Sequence, residues 1–302
     1  MVRPRAPIEQ DIIFREGRTA REENAAREEE TIEKKNLVLR FVVPVVPPRG
    51  LPDTIRLARV VGIIPSRYQS TRLPGKALAN IAGAPMVEHV HRRASEAKLL
   101  DAVVVATDDQ RIADAVDAFG GTAVMTDAIH PSGTDRLAEV AAALTGDIIV
   151  NIQGDEPTIA PEAIDSAVKL LLDRPADQMA TLRRRIDDPA DLANPSVVKL
   201  VTDSDGYALY FTRSAVPFVR PGHPRPVSWR HLGLYAYRRE FLVRLASLAP
   251  TPLEQAEGLE QLRAIEHGYR IITTETLADA IGVDTPEDLD RVRQLFEAAT
   301  RT

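Results

Sequence analysis

The sequence predicts an α/β fold built on a mostly parallel sheet with helices on both faces, followed by a smaller, mixed β/α lobe. Three observations predict it. Short β-branched runs at Val60–Ile64, Ala102–Ala106 and Asp147–Ile152 are apolar on both faces, the pattern of strands buried on both sides. Helical stretches alternate with them, and a βαβα order implies parallel strands. Polar, functional-looking loops begin directly after two of these runs, at Pro65–Lys76 and Gln153–Pro157, where ligands of such sheets bind.

Taken in order, residues 1–59 form a charged N-terminal extension, expected to be disordered or peripheral. Its apolar run NLVLRFVVPVVP is too short and too interrupted to span a bilayer. The first strand, Val60–Ile64, stops at Pro65. Pro85–Leu99 reads as a helix with Pro85 in its first turn. After the strand Ala102–Ala106, Asp108 is expected to cap a helix that runs to about Phe119 and stops at Gly120-Gly121. Thr122–Met125 is a third strand, Gly133–Leu144 a helix and Asp147–Ile152 a fourth strand. Val197–Thr202 and Tyr207–Thr212 read as a hairpin, and Leu232–Tyr237 as a strand. Glu240–Leu248 and Pro252–His267 read as helices, Tyr269–Thr274 as a strand and Thr285–Phe296 as the last helix. One domain, 60–298, is expected, in two halves that divide at about 175–176.

The 302 residues carry a formal net charge of -6 and no basic tract, which argues against general nucleic-acid binding. With no cysteine, disulfide and thiolate chemistry are excluded, and the composition fits a reducing cytoplasm. No membrane insertion is expected.

The loop after the first strand carries Arg67, Ser70, Thr71, Arg72, Gly75 and Lys76. Arg67 and Arg72 offer planar donor forks that match phosphate oxygens, and Lys76 adds a mobile point charge. Gly75 permits close backbone approach to a ligand. The pattern is neither a Walker loop nor a dinucleotide fingerprint. By itself it also reads as a solvated basic loop. Two acidic loops complement it. Gln153-Gly154-Asp155-Glu156-Pro157 follows the fourth strand, and Gly282-Val283-Asp284-Thr285-Pro286-Glu287-Asp288 precedes the last helix. Helix capping explains Glu287 and Asp288. Asp155 and Asp284 are the candidates to hold Mg²⁺, which takes few protein ligands beside water and phosphate oxygens. Alternatively, Asp155 is a turn residue and Asp284 a charge favouring the helix dipole.

Together, IIPSRYQSTRLPGKAL, ATDD, HPSGTDRLAE, VNIQGDEP, ALYFTR, RHLGLYAY, LEQLR and GVDTPEDLDRV resemble the 3-deoxy-manno-octulosonate (Kdo) cytidylyltransferases, or CMP-Kdo synthetases, from about Val60 to Phe296. The resemblance implies a Rossmann-like nucleotidyltransferase sheet with a sugar-binding and dimerisation lobe. It implies Mg²⁺-dependent conversion of CTP and Kdo to CMP-Kdo and diphosphate for lipopolysaccharide synthesis, and a homodimer. Arg67, Arg72, Lys76, Asp155 and Asp284 would be catalytic. Pro65, Ser66, Ser132, Gly133 and Gln153 would complete the CTP site, with Ser66 where many relatives carry Ala. Arg213, His231, Glu260 and Gln261 would bind the sugar. Other readings are a related acid sugar such as 8-amino-Kdo, a different cytidylyltransferase, or a non-catalytic nucleotide-binding protein on the same fold. Arg183-Arg184-Arg185 departs from the family pattern. Outward salt bridging is the favoured reading, and a basic rim that steers CTP the alternative.

Overall fold

The structure, a computed structural model, describes residues 59–69, 72–130 and 132–300. The extension before Arg59, Ser70, Thr71 and Pro131 lie outside the described residues.

Among the described residues, nine strands form one sheet and two more a small ribbon. The strands are β1 (Val60–Ser66), β2 (Asn80–Ile81), β3 (Ala84–Pro85), β4 (Ala102–Thr107), β5 (Ala123–Met125), β6 (Ile148–Asn151), β7 (Met179–Arg185), β8 (Lys199–Thr202), β9 (Ala208–Thr212), β10 (Trp229–Arg238) and β11 (Ile272–Glu275). The helices are α1 (Met86–Ser95), α2 (Gln110–Ala118), α3 (Gly133–Ala142), α4 (Pro161–Asp173), α5 (Pro189–Ala193), α6 (Arg239–Ser247), α7 (Pro252–Glu257), α8 (Gln261–Glu266) and α9 (Pro286–Thr300). The main path runs β11-β7-β10-β6-β1-β4-β5, with β8 on β10 and β9 on β8; β2 pairs with β3.

Strand alternation builds two cores. Val61 and Ile63 point to the face covered by Leu137 and Val140 of α3 and Phe241 and Leu245 of α6. Val60 and Ile64 point to the other, covered by Val90 of α1, Ile112 and Val116 of α2, and Ile164 and Val168 of α4. The expected helices on both faces are thus present.

The parallel order of the main path has one exception, and it matters for the site. β10 runs antiparallel to both β6 and β7. Its N-terminal half therefore lies at the same sheet edge as the carboxyl ends of β1, β4, β6 and β7. A register shift between Leu232 and Tyr235 interrupts it there.

Three expectations change. Asp109, not Asp108, caps α2: its carboxylate accepts the Arg111 N–H at 3.0 Å. Asp108 instead pairs with Arg136 at 3.2 Å. The helix expected over 252–267 is two short helices, because Gly258 takes the left-handed conformation (φ 61°) that ends α7. Pro85 lies just before α1 and ends β3 rather than opening the helix.

Candidate active site

Lys76 sits in a short 3-10 turn beyond β1, which starts from Gly75 at φ 70°. A Cβ there would also come within 3.1 Å of the Tyr68 ring. Glycine at 75 is thus accounted for by left-handed backbone and a packed ring rather than by approach to a ligand. Asp155 follows β6, the neighbour of β1. Asp284 arrives from the far end of the chain. α9 packs on the small ribbon: Val283, Leu289 and Val292 join Ile81 and Met86 in a third buried cluster. Burying Val283 contributes on the order of 1.5–3 kcal/mol and fixes its neighbour Asp284. The Val283 N–H donates to the Asp155 carbonyl at 2.8 Å, tying the two acidic loops together.

The four charged groups meet. Lys76 Nζ donates to Asp155 Oδ2 at 2.5 Å, to Asp284 Oδ1 at 3.2 Å and to the Val283 carbonyl at 3.2 Å. Arg72 pairs with the other Asp284 oxygen at 3.1 Å. These groups line a cavity of about 760 Å³ together with Pro65, Ser66, Arg67, Ser132, Gly133 and Gln153. Every described residue expected to hold the nucleotide is in this lining.

Local detail qualifies some of them. The Ser132 hydroxyl caps α3, accepting from Asp135 N at 3.3 Å and donating to its carboxylate at 2.7 Å. The Gln153 amide is held by the Gly233 carbonyl at 2.9 Å. Buried Ser66 Oγ has no hydrogen-bond partner among the described residues. Glu156, next to Asp155, is pushed up to about 8 by burial and then by the Asp155 charge, with Arg230 opposing.

A second cavity of about 360 Å³ shares Pro65, Gly133 and Gln153 with the first. His231, Glu260 and Gln261 line it, as expected of sugar-binding residues. The Thr134 hydroxyl donates to Glu260 Oε2 at 2.5 Å. The His231 ring is 3.0 Å from the Thr181 hydroxyl, and burial pushes its pKa down to about 3, so it is neutral at physiological pH. Arg213 is not brought into this lining. Its guanidinium donates to the carbonyls of Glu257 at 2.8 Å and Pro195 at 3.1 Å, and its N–H to the Glu257 carboxylate at 2.9 Å. Fully buried Lys199 braces the same turn, donating to the Arg213 carbonyl at 2.5 Å.

Sequence reasoning missed several lining residues. Asn151, Tyr235, Tyr237 and Arg263 line the smaller cavity, and Asp108 and Arg136 the larger. Burial raises both tyrosine pKa values, so both hydroxyls stay protonated. Tyr235 and Tyr237 share the strand parity of His231, a signal present in RHLGLYAY.

Cations and carboxylates converging beyond the carboxyl ends of parallel strands, over two joined cavities, define a nucleotide-handling α/β protein. Comparison with known proteins narrows this. The cytidylyltransferase family model matches residues 61–271. A 3-deoxy-manno-octulosonate cytidylyltransferase of Pelobacter propionicus is 53% identical over 249 residues, covering 79% of this chain and 98% of that protein. One from Geobacter sulfurreducens is 54% identical over 77% of this chain and 97% of that protein. A solved structure of CMP:2-keto-3-deoxy-manno-octonic acid synthetase complexed with CTP superposes with a TM-score of 0.77 at 45% identity, over 80% of this chain and 99% of that one. The chain belongs to the 3-deoxy-manno-octulosonate cytidylyltransferase family. No helix among the described residues is long and apolar enough to cross a membrane.

Proposed function

We propose that the protein activates 3-deoxy-manno-octulosonate, converting CTP and the acid sugar to CMP-Kdo and diphosphate. The observation that carries this is the joining of the two cavities at Pro65, Gly133 and Gln153. One is lined by cations suited to a triphosphate. The other is lined by hydroxyl, imidazole, carboxamide and carboxylate groups suited to a polyhydroxylated acid.

In the reaction the anomeric hydroxyl oxygen of the sugar attacks the α-phosphorus of CTP. The new P–O bond forms as the bond to the β-phosphate bridging oxygen breaks; diphosphate leaves, and the hydroxyl proton passes to solvent. Catalysis of this kind is mainly positioning and charge neutralisation. Arg67, Arg72 and Lys76 hold the triphosphate and steady the departing diphosphate. Pro65, Ser66, Ser132, Gly133 and Gln153 seat the nucleoside. His231 acts as a neutral hydrogen-bonding group, and Glu260 and Gln261 accept from and donate to the sugar hydroxyls. Arg213 would reach the sugar carboxylate only by releasing the Glu257 and Pro195 carbonyls.

Cytidylyltransferases generally require a divalent metal. Asp155 and Asp284 fit one: both approach a single cation, the Lys76 ammonium, which marks the space between them. Two carboxylates beside phosphate oxygens and water suit Mg²⁺. When bound, the metal would lower the pKa of the attacking hydroxyl. The same reading places the protein in the cytoplasm, in lipopolysaccharide synthesis, as a homodimer; exposed Leu209 on edge strand β9 and exposed Phe218 offer an apolar surface for the partner.

The test is diphosphate release by purified protein with Mg²⁺, comparing CTP with ATP, GTP and UTP, each with and without Kdo. Release requiring both CTP and Kdo is expected. Release with 8-amino-Kdo but not Kdo moves the assignment to that sugar, and CTP binding without turnover on any acid sugar refutes the enzymatic reading.

A further inference from the structure

The arginine tract of β7 has a structural destination. Pleating sends neighbouring side chains to opposite faces. Arg183 donates to the Thr273 hydroxyl and packs 4.9 Å from the Trp229 ring. Arg185 pairs with Asp187 at 3.5 Å. Arg184, on the opposite face, pairs with Asp279, and Arg230 of β10 pairs with the other oxygen of the same carboxylate. The Arg184 and Arg230 side chains are 28% and 22% exposed and that of Asp279 50%, so the arginines are partly shielded while the carboxylate meets solvent.

Asp279 sits midway along the irregular segment that leads from β11 to Asp284. The segment has no helix or strand to hold it between Glu275 and Pro286. Apolar packing of Ala278, Ala280, Ile281 and Val283 holds it, together with point attachments: Thr276 N–H to the Arg183 carbonyl at 2.9 Å, Ile281 N–H to Thr158 Oγ1 at 3.0 Å, and Val283 N–H to the Asp155 carbonyl at 2.8 Å. The double arginine grip on Asp279 is the charged attachment midway along it, beside those of Lys76 and Arg72 at Asp284 itself.

We propose that Arg184 and Asp279 are positioning residues: the Arg184–Asp279–Arg230 clamp holds the segment so that Asp284 stands opposite Asp155, ready for a divalent cation. This rests on reading Asp284 as a metal ligand. The clamp acts through Asp284, since neither Arg184 nor Asp279 lines either cavity. Releasing it lets the segment fluctuate, so the two carboxylates meet less often and metal affinity falls. Chemistry with the metal site filled is unchanged.

The experiment measures Mn²⁺ binding to the full chain by electron paramagnetic resonance, with CTP and without acid sugar, for Arg184→Ala, Asp279→Asn and Asp284→Asn. Amide exchange of residues 276–284 is followed in parallel. Arg184→Ala and Asp279→Asn are expected to weaken Mn²⁺ binding at least about fivefold and to speed exchange in the segment. In turnover, half-saturating Mg²⁺ rises by a similar factor while kcat at saturating Mg²⁺ stays within about twofold. Arg184→Lys, which keeps the charge, falls between, and it serves in place of Arg184→Ala should that variant fail to fold. Unchanged Mn²⁺ binding in the Arg184 and Asp279 variants, with Asp284→Asn impaired, overturns the clamp alone. Unchanged binding in Asp284→Asn overturns the metal reading and the clamp with it.

Discussion

Gly154→Ala adds one methyl at the tightest point of the nucleotide site. A Cβ at this position would lie 2.7 Å from the Pro65 carbonyl oxygen, 2.9 Å from Ser66 Oγ and 3.4 Å from Ile64 Cγ2. Relief to ordinary contact needs about 0.7 Å of movement. Pro65 and Ser66 cannot supply it, because β1 is locked to β4 in the register Pro65↔Ala106 and Ser66↔Thr107. The loop after β6 must move instead, and it carries Asp155. Overpacking of this size costs about 1–3 kcal/mol, a fall in Tm of about 2–8 °C. Displacement of Asp155 from Lys76 and Asp284 is expected to lower kcat/KM by tens to about a hundredfold, up to ~2.7 kcal/mol. Thermal unfolding and diphosphate release measure both. Gly282→Ala is the control: it lies two residues from Asp284, but a Cβ there meets nothing within 4 Å among the described residues. It should change stability by less than about 0.5 kcal/mol. A Gly154→Ala protein as stable and active as the parent would refute the reasoning, as would equal damage from Gly282→Ala.

Asp284→Asn keeps its size but loses a charge; it is expected to abolish turnover while CTP affinity, read by calorimetry, falls less. Among the described residues, Gly133→Ala meets only Pro65, at 3.8 Å and beyond. Its Tm should hold while KM for CTP rises severalfold, because the methyl enters the nucleotide cavity; an unchanged KM counts against Gly133 as a nucleoside contact. Arg263→Met leaves the buried Glu254 carboxylate, bonded at 2.8 Å to the Arg263 Nε, without its partner. The expected loss is about 3–5 kcal/mol, and a Tm shift under about 2 °C would contradict it. His231 is depressed to about 3 when folded and returns to 6.5 on unfolding. Below pH 6.5 the unfolded chain takes up a proton that the folded chain refuses, so stability falls with pH, with a slope approaching ~1.4 kcal/mol per unit from this group. Denaturant unfolding at pH 7 and 4.5 should show a smaller drop for His231→Asn; equal drops would show that His231 is not buried neutral.

Legibility followed chemistry. Lys76, Asp155 and Asp284 stood out because charge near a strand end or before a cap has no packing purpose. Their meeting is expected from strand order and from the pairing of the two acidic loops; the route that brings Asp284 there, α9 returning to the small ribbon, is not legible. Tyr235 and Tyr237 read as strand filler, because burial makes a hydroxyl-bearing ring look like any apolar residue. Arg136 and Arg263 sit inside helices, where an arginine reads as solvated surface, yet both are buried by partners brought from elsewhere. α4 went unread although Ala163, Ile164, Ala167, Val168 and Leu171 repeat at helical spacing behind Pro161. Arg213 had the right chemistry for an acid sugar, but local carbonyls engage it, and sequence says nothing about that competition.

The irregularity in β10 sets a rule for how this chain can vary. Leu232 faces Leu182 across the ladder, yet the next pair is Tyr235 with Thr181, so β10 carries two residues with no counterpart. Thr181 Oγ1 lies 3.2 Å from the Leu232 carbonyl and 2.8 Å from that of Leu234, so the excess stays hydrogen-bonded. Two is an even number, and sidedness in a strand has period two. His231 before the excess and Tyr235 after it therefore still look into one chamber. A two-residue change here preserves which side chains face the chamber, whereas a one-residue indel keeps it only if a bulge absorbs the odd residue; otherwise half of the sugar chamber turns inside out with every residue in it unchanged.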